Sequence, residues 1–221
     1  AEVLVRPHHL PRRLVARGVV PADVDLPVRF LAWTTTPWTL GANTGLLVKG
    51  DATYALVGAP ARKGDRERSA AFVVARDRGE DVFDGDPYEI LATFPGHALD
   101  GATYAPVLRG RDEAGRPAED VARRVVLDDA VSLDDGTGLV HVAPAYGDLE
   151  VGRSHGLATT FSVSLTGEML PEVTVPDAPA DAPGPWAGTW FKDADAAIAE
   201  ALLARGAMYH ATTLRHAYPF N

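Results

Sequence analysis

Short runs of apolar and β-branched residues, separated by clusters of Gly, Pro and Asp, set the pattern of the chain. Val28 to Trp33 (Val-Arg-Phe-Leu-Ala-Trp) predicts a strand, stopped by Pro37. Leu46 to Val48 and Tyr54 to Val57 predict two more around the Lys49-Gly50-Asp51 turn. Ala71 to Ala75, Tyr88 to Phe94, Val125 to Leu127, Leu139 to Val142 and Phe161 to Leu165 repeat the habit. Helical periodicity is scarcer. Asp193 to Arg205 carries it best, with Asp193 placed to cap, Ile198 and Leu202 four apart, Arg205 in the last turn and Gly206 behind it. Asp148 to His155 predicts a short helix after Pro144. Residues 1–26 hold Pro7, Pro11 and Pro21 among Arg12, Arg13 and Arg17 without a sustained period, and read as a connecting arm. Residues 177–185, dense in Pro, Ala and Asp, read as a surface loop. The expected fold class is α/β but β-rich: a bent sheet or β-barrel core with a few peripheral helices.

Length and composition narrow the functional classes. A chain of 221 residues suits one good-sized domain or two small ones. There are no cysteines, which excludes thiolate catalysis, disulfides and Cys-based zinc sites, and fits a cytoplasmic setting. No apolar run approaches the ~20 residues that span a bilayer, so no membrane partner is expected. The first residues lack the basic start and apolar core of a signal peptide. They also lack an initiator Met, which raises the expectation of a segment excised from a longer protein. The net charge of −9 is opposite to that of an autonomous nucleic-acid binder, whose affinity comes from Lys and Arg neutralising phosphates. If RNA is a substrate, the domain touches only a short end of it.

Three segments carry polar groups that can do chemistry. Trp33-Thr34-Thr35-Thr36-Pro37-Trp38-Thr39-Leu40, with Asn43 close behind, gathers hydroxyl donors and acceptors where a strand is stopped by a proline. Such groups, with freed backbone N–H groups, can hold a water and polarise a carbonyl. Taken alone they read first as a strand edge with satisfied hydroxyls and two packed tryptophans, since Thr-rich strands are common. Asp135-Gly136-Thr137-Gly138-Leu139-Val140-His141-Val142-Ala143-Pro144 allows a close backbone approach at its glycines and delivers His141 to one face of a strand. A lone His there is also an ordinary hydrogen-bonded core residue. Asp148, near Glu150, can pair with an ammonium group or simply cap a helix. The seven histidines include no His-x-x-x-His pair, no Gly-x-Ser-x-Gly elbow or phosphate-binding loop is present, and neither a metal nor a cofactor is expected.

Taken together, Trp-Thr-Thr-Thr-Pro-Trp-Thr-Leu-x-x-Asn from Trp33 and Gly-Thr-Gly-x-Val-His-x-Ala-Pro-Ala from Gly136 resemble the inserted editing domain of isoleucyl-tRNA synthetase. The likeness runs from about Val28 to Pro219. It takes in Phe94-Pro95-Gly96, Tyr104-Ala105-Pro106, Trp186 to Phe191 and His216-Ala217-Tyr218-Pro219. It implies the editing-domain fold of the class I synthetases over residues 27–221. It also implies a hydrolase that removes valine from tRNA(Ile), with valyl-adenylate as a second substrate and the rest of a synthetase body as a partner. The need is physical: an apolar pocket discriminates one methylene by only ~1–3 kcal/mol, as is established for isoleucine against valine, so a second site must destroy the error. By motif position the resemblance places Thr34, Thr35 and Thr36 at the ester and the attacking water. It has Trp38 and Thr39 shape the side-chain pocket, Asn43 support the terminal adenosine or the loop, and His141 narrow the pocket against isoleucine. Asp148 pairs with the free α-ammonium, and Trp33 and Gly138 are further substrate-binding positions.

The chain departs from the family pattern in three places. The loop before Asp148 is two residues shorter than is usual, and at ~3.3 Å of reach per residue this can move the carboxylate by several ångströms. Gly41 stands for a usual Pro and is expected to loosen the turn, and Ser164 stands where the family often has Asp. Two alternatives remain: a non-catalytic module that binds an aminoacyl-adenosine or tRNA end, and a freestanding deacylase for another aminoacyl ester.

Overall fold

The computed structural model describes residues 2–5, 12–65, 67, 69–179 and 182–211. Among the described residues nine strands form one sheet: β1 (Glu2–Val5), β2 (Val28–Trp33), β3 (Gly45–Val48), β4 (Thr53–Ala59), β5 (Ala70–Ala75), β6 (Glu89–Pro95), β7 (Arg124–Leu127), β8 (Val140–Val142) and β9 (Met208–His210). Seven follow the path β6-β4-β5-β2-β8-β3-β7, while β1 pairs with β2 and β9. Pairing is mixed: β4 is antiparallel to β5 and β6, whereas β2 runs parallel to β5 and β8. The result is a curled, half-barrel sheet with peripheral helices α1 (Arg12–Ala16), α2 (Gly79–Val82), α3 (Leu149–Ser154) and α4 (Phe191–Ala204), the β-rich class expected from the sequence.

The sheet explains the apolar runs. Side chains alternate across a strand, and β4 and β5 are covered on both faces. Tyr54, Leu56, Ala71, Val73 and Ala75 enter the main core with Phe30, Leu46 and Leu108. Their neighbours Ala55, Val57, Ala70, Phe72 and Val74 join Leu31, Phe83 and Tyr209 behind the sheet. Each fully buried Val, Leu or Phe contributes roughly 1.5–3 kcal/mol of apolar transfer. Residues 2–5 of the stretch read as an arm form a strand, and Leu14, Val19 and Val20 are buried in the core, so much of that stretch packs with the sheet.

Two local expectations differ. Phe161 to Leu165 is no strand; it makes only single bridges, Phe161 with Arg111 and Val163 with Met169. In α4, Trp190 rather than Asp193 occupies the cap position, and Asp193 sits in the first turn, where its charge favours the helix dipole. Ala194, Ile198 and Leu202 form the buried stripe of α4. Gly206, at φ +62°, ends the helix with Ala207 N–H donating to Leu202 O. The His216 to Pro219 segment lies outside the described residues.

One pairing positions the site. β8 lies between β2 and β3, with Trp33 opposite Val140 and Leu46 opposite His141. The connection from β2 to β3 carries the threonines, so His141 is delivered beside it.

Candidate active site

After Trp33 the chain leaves the sheet and enters a short 3-10 turn, Pro37–Ala42, with Pro37 at its start. Pro fits there because its fixed φ suits a helical first turn and its missing N–H is not needed. Before the turn, Thr36 N–H donates to Thr34 Oγ1 (3.1 Å), folding the three threonines into a tight bend. Thr34 is buried, Thr35 is exposed and Thr36 is half-buried, so the bend opens outward at Thr35 and Thr36. Gly41 sits inside the turn where neighbouring elements pack closely. It is buried, and an added Cβ would lie 3.1 Å from Ser162 Cβ and 3.3 Å from Val173 Cγ1.

The turn returns Thr39 beneath Thr36. Thr39 Oγ1 donates to Thr36 O (2.8 Å) and lies 2.9 Å from His141 Nε2 and 3.3 Å from Thr36 Oγ1. On the other side of the imidazole, Asn43 Nδ2 donates to Nδ1 at 2.7 Å and to Gly45 O at 2.9 Å. Asn43 Oδ1 accepts from the buried hydroxyl of Tyr104 (2.8 Å). The structure therefore joins Thr34, Thr36, Thr39 and Asn43 of one loop with His141, 102 positions beyond Thr39, in one cluster. Part of His141 reaches the surface, but desolvation pushes its imidazole from the ordinary 6.5 down to about 4, so the ring is neutral at pH 7. Burial raises the Tyr104 phenol even further above its usual range, keeping it a donor.

Trp38 is held from outside the loop. Its backbone N–H donates to Asp195 Oδ1 of α4 (2.9 Å), and its indole packs edge-on against Tyr146 (4.8 Å between centroids) and Phe191 (4.7 Å). Tyr146 in turn accepts from Ser162 N–H and Val163 N–H. Asp148 stands at the start of α3 without capping it; its Oδ2 accepts from Ala143 N–H (2.9 Å), two residues beyond His141. That bond ties the short loop back onto the end of β8.

Gly138 and Trp33 are held by packing next to the cluster. Gly138, at φ +77°, is packed so closely that a Cβ would lie 2.3 Å from Ala75 Cβ, and its carbonyl accepts from Tyr54 OH. Packing thus accounts for glycine there without a substrate. Trp33 ends β2, with the Gly136 backbone close against its side chain. Ser164 bonds within its own turn, to Thr166 Oγ1 and Glu168 N–H. Sequence reasoning missed Tyr104, Tyr146 and Asp195. A tyrosine ahead of Ala105-Pro106, outside any periodic run, was the one visible trace of the first; nothing local marks the other two.

No protein-family description matches the chain. It is 36% identical over 191 residues to the isoleucine–tRNA ligase of Thermus thermophilus, covering 86% of this chain and 16% of that protein. It is also 36% identical over 196 residues to the isoleucine–tRNA ligase of Thermococcus kodakarensis, covering 86% and 17%. The chain thus spans about a sixth of the length of these relatives. Among solved structures, the cytosolic leucyl-tRNA synthetase editing domain of P. knowlesi superposes with a TM-score of 0.66 at 10% identity, covering 94% of both chains. That of P. falciparum gives 0.66 at 9% identity, covering 94% of this chain and 97% of the other. At such identities these neighbours speak to the fold.

Proposed function

We propose that this chain, a homologue of the isoleucyl-tRNA synthetases with the fold of a synthetase editing domain, is a hydrolase of misacylated tRNA that cleaves the ester at the 3′ end. Valine on tRNA(Ile) is the substrate that suits it, and valyl-adenylate, a more reactive acyl donor, is a second. One observation carries the reading: a threonine bend, open at Thr35 and Thr36, is bonded through Thr39 to a neutral His141.

The reaction is attack of water on the ester carbon. Thr36 Oγ1 and Thr34 Oγ1 stand 3.5 Å apart and offer acceptors that orient the water, while the exposed Thr35 faces the arriving ester. The tetrahedral oxyanion collapses, the acyl–oxygen bond to the ribose breaks, and the ribose oxygen leaves with the proton given up by the attacking water. Donors placed at the oxyanion supply the main stabilisation in such reactions. Asp148 pairs with the free α-ammonium through the oxygen not engaged by Ala143. Neutral His141, with Trp38 and Thr39, bounds the side-chain space and is the group that opposes an extra methylene. The chemistry calls on no cofactor. A chain of net charge −9 has little hold on RNA by itself, so a synthetase body delivers the tRNA end, in the cytoplasm where tRNA is charged. Among the described residues, no helix is long and apolar enough to cross a membrane.

Incubation with Val-tRNA(Ile) and Ile-tRNA(Ile) tests the reading. The valyl ester is expected to disappear faster, and Asp148→Ala to slow it. Equal, background-level loss of both esters would overturn it. Tight binding of a non-hydrolysable valyl-adenosine analogue without turnover would assign a binding module instead, the reading to which the short loop before Asp148 points.

A further inference from the structure

The hydrogen bonds around His141 have a direction that the atoms themselves fix. Asn43 Nδ2 has two protons, and three acceptors surround it: His141 Nδ1 at 2.7 Å, Gly45 O at 2.9 Å and Val142 O at 3.3 Å. A carbonyl can only accept, so the amide nitrogen must face this side. Tyr104 OH, donating to Oδ1 at 2.8 Å, fixes the other end of the same amide. Its phenol is buried deeply enough to stay protonated. The backbone carbonyl of Asn43 is also engaged, by Arg123 Nε at 3.1 Å. The amide therefore has one orientation, and Nδ1 of His141 must accept.

A neutral imidazole with an accepting Nδ1 carries its proton on Nε2. Nε2–H then donates to Thr39 Oγ1 at 2.9 Å, which agrees with Thr39 spending its own proton on Thr36 O at 2.8 Å. The second lone pair of Thr39 is left for the Thr36 hydroxyl at 3.3 Å. Thr36, having donated inward, presents lone pairs outward at the open side of the bend. The opposite tautomer would turn the Thr39 proton toward His141 Nε2 and take it from Thr36 O, leaving that carbonyl only the Thr39 backbone N–H at 3.0 Å.

From this geometry we infer that Asn43 and Tyr104 are positioning residues that lock His141 in its Nε2–H tautomer, direct the Thr39 proton to Thr36 O and so hold the bend that presents Thr36 to the reacting water. The inference rests on the deacylase reading for its effect on rate, though the tautomer itself is independent of it. Both side chains are buried, and in this role both act through His141 and Thr39.

The ring nitrogens of His141 report the tautomer directly. In the ¹⁵N-labelled protein, long-range proton–nitrogen correlations at pH 7, assigned by comparison with His141→Ala, are expected to show a pyridine-like Nδ1 and a pyrrole-like Nε2. A pyridine-like Nε2, or two averaged nitrogens, overturns the inference with no variant needed. Asn43→Asp is isosteric and can only accept from Nδ1, so it should invert the pattern. Tyr104→Phe, a milder change should the buried carboxylate prevent folding, should shift the nitrogens toward averaging. It should also lower valyl-ester hydrolysis about three- to tenfold, the worth of one hydrogen bond. Unaltered nitrogen shifts in Tyr104→Phe remove Tyr104 from the lock. A wild-type chain with the expected tautomer but no hydrolysis would sink the deacylase reading while leaving the lock intact. Hydrolysis by a chain with the other tautomer would do the reverse.

Discussion

The backbone N–H of Trp38 donates to Asp195 Oδ1 across 2.9 Å, so a carboxylate 157 positions further along the chain pins the threonine loop to α4. Asp195→Ala leaves that N–H without its acceptor, and unfolding in urea should show a loss of about 1–3 kcal/mol. Asp195→Asn keeps an acceptor and should lose less. Burial raises the Asp195 carboxyl above its usual range, outweighing the lowering by the Trp38 bond. For an acid so raised, the associated stability is fully present below the unfolded carboxylate pKa and is lost as pH rises through the folded value. The Asn variant escapes that loss, so it should compare best with wild type at pH 7 and progressively worse toward pH 4. An Asn variant as unstable as Ala at pH 7 would contradict this.

Thr35 and Thr36 separate chemistry from folding. Thr35 is exposed, so Thr35→Ala should change stability by no more than about 0.5 kcal/mol, and any fall in ester hydrolysis then reports contact with the substrate. Thr36→Val keeps the shape but removes the outward lone pairs. Hydrolysis should fall about 10- to 100-fold under single-turnover conditions, with little change in analogue binding. Equal losses of binding and rate would place Thr36 in recognition alone.

His141 should leave a mark on the pH dependence of stability. Its folded pKa of about 4 lies below the ordinary 6.5, so the unfolded chain binds the extra proton first. The stability it contributes is fully present above pH 6.5 and is lost as pH falls toward 4, by up to about 3 kcal/mol. Urea midpoints across that window should fall more steeply for wild type than for His141→Ala. The same variant, with a wider pocket, should gain hydrolysis of Ile-tRNA(Ile). A variant that still spares the isoleucyl ester would remove His141 from specificity.

Gly138→Ala tests packing against recognition. The new methyl would meet Ala75 Cβ at 2.3 Å in a left-handed backbone, a loss of at least about 2 kcal/mol. A marked fall in melting temperature, with hydrolysis retained in the folded fraction well below it, assigns Gly138 to the core. Unchanged melting with lost hydrolysis assigns it to the substrate.

Much of this was legible in the chain because the sheet is sandwiched between two apolar clusters. Strands such as Ala70–Ala75, buried on both faces, announce themselves as unbroken apolar runs whatever their partners. The Phe161 to Leu165 run alternates apolar residues with serine, as a half-buried strand would, but finds only isolated bridges, since no continuous neighbour lies beside it. Pairing is a long-range property that composition does not carry. Within the site, the threonine run and His141 stood out as motifs, whereas Asp195 and Tyr104 matter through single contacts made across the fold. A polar residue on a helix reads as solvated until the element it caps is known.

The cluster from Tyr104 through Asn43, His141 and Thr39 to Thr36 is made of five side chains without a formal charge at neutral pH. Mobile ions screen charges far more effectively than they weaken bonds between neutral dipoles. Added salt should therefore touch the cleavage of a minimal aminoacyl nucleoside only through its single ammonium pair with Asp148, while slowing turnover of intact aminoacyl-tRNA far more wherever delivery of the polyanion limits the rate. The two substrates, compared across ionic strength, divide capture from cleavage without altering a single residue.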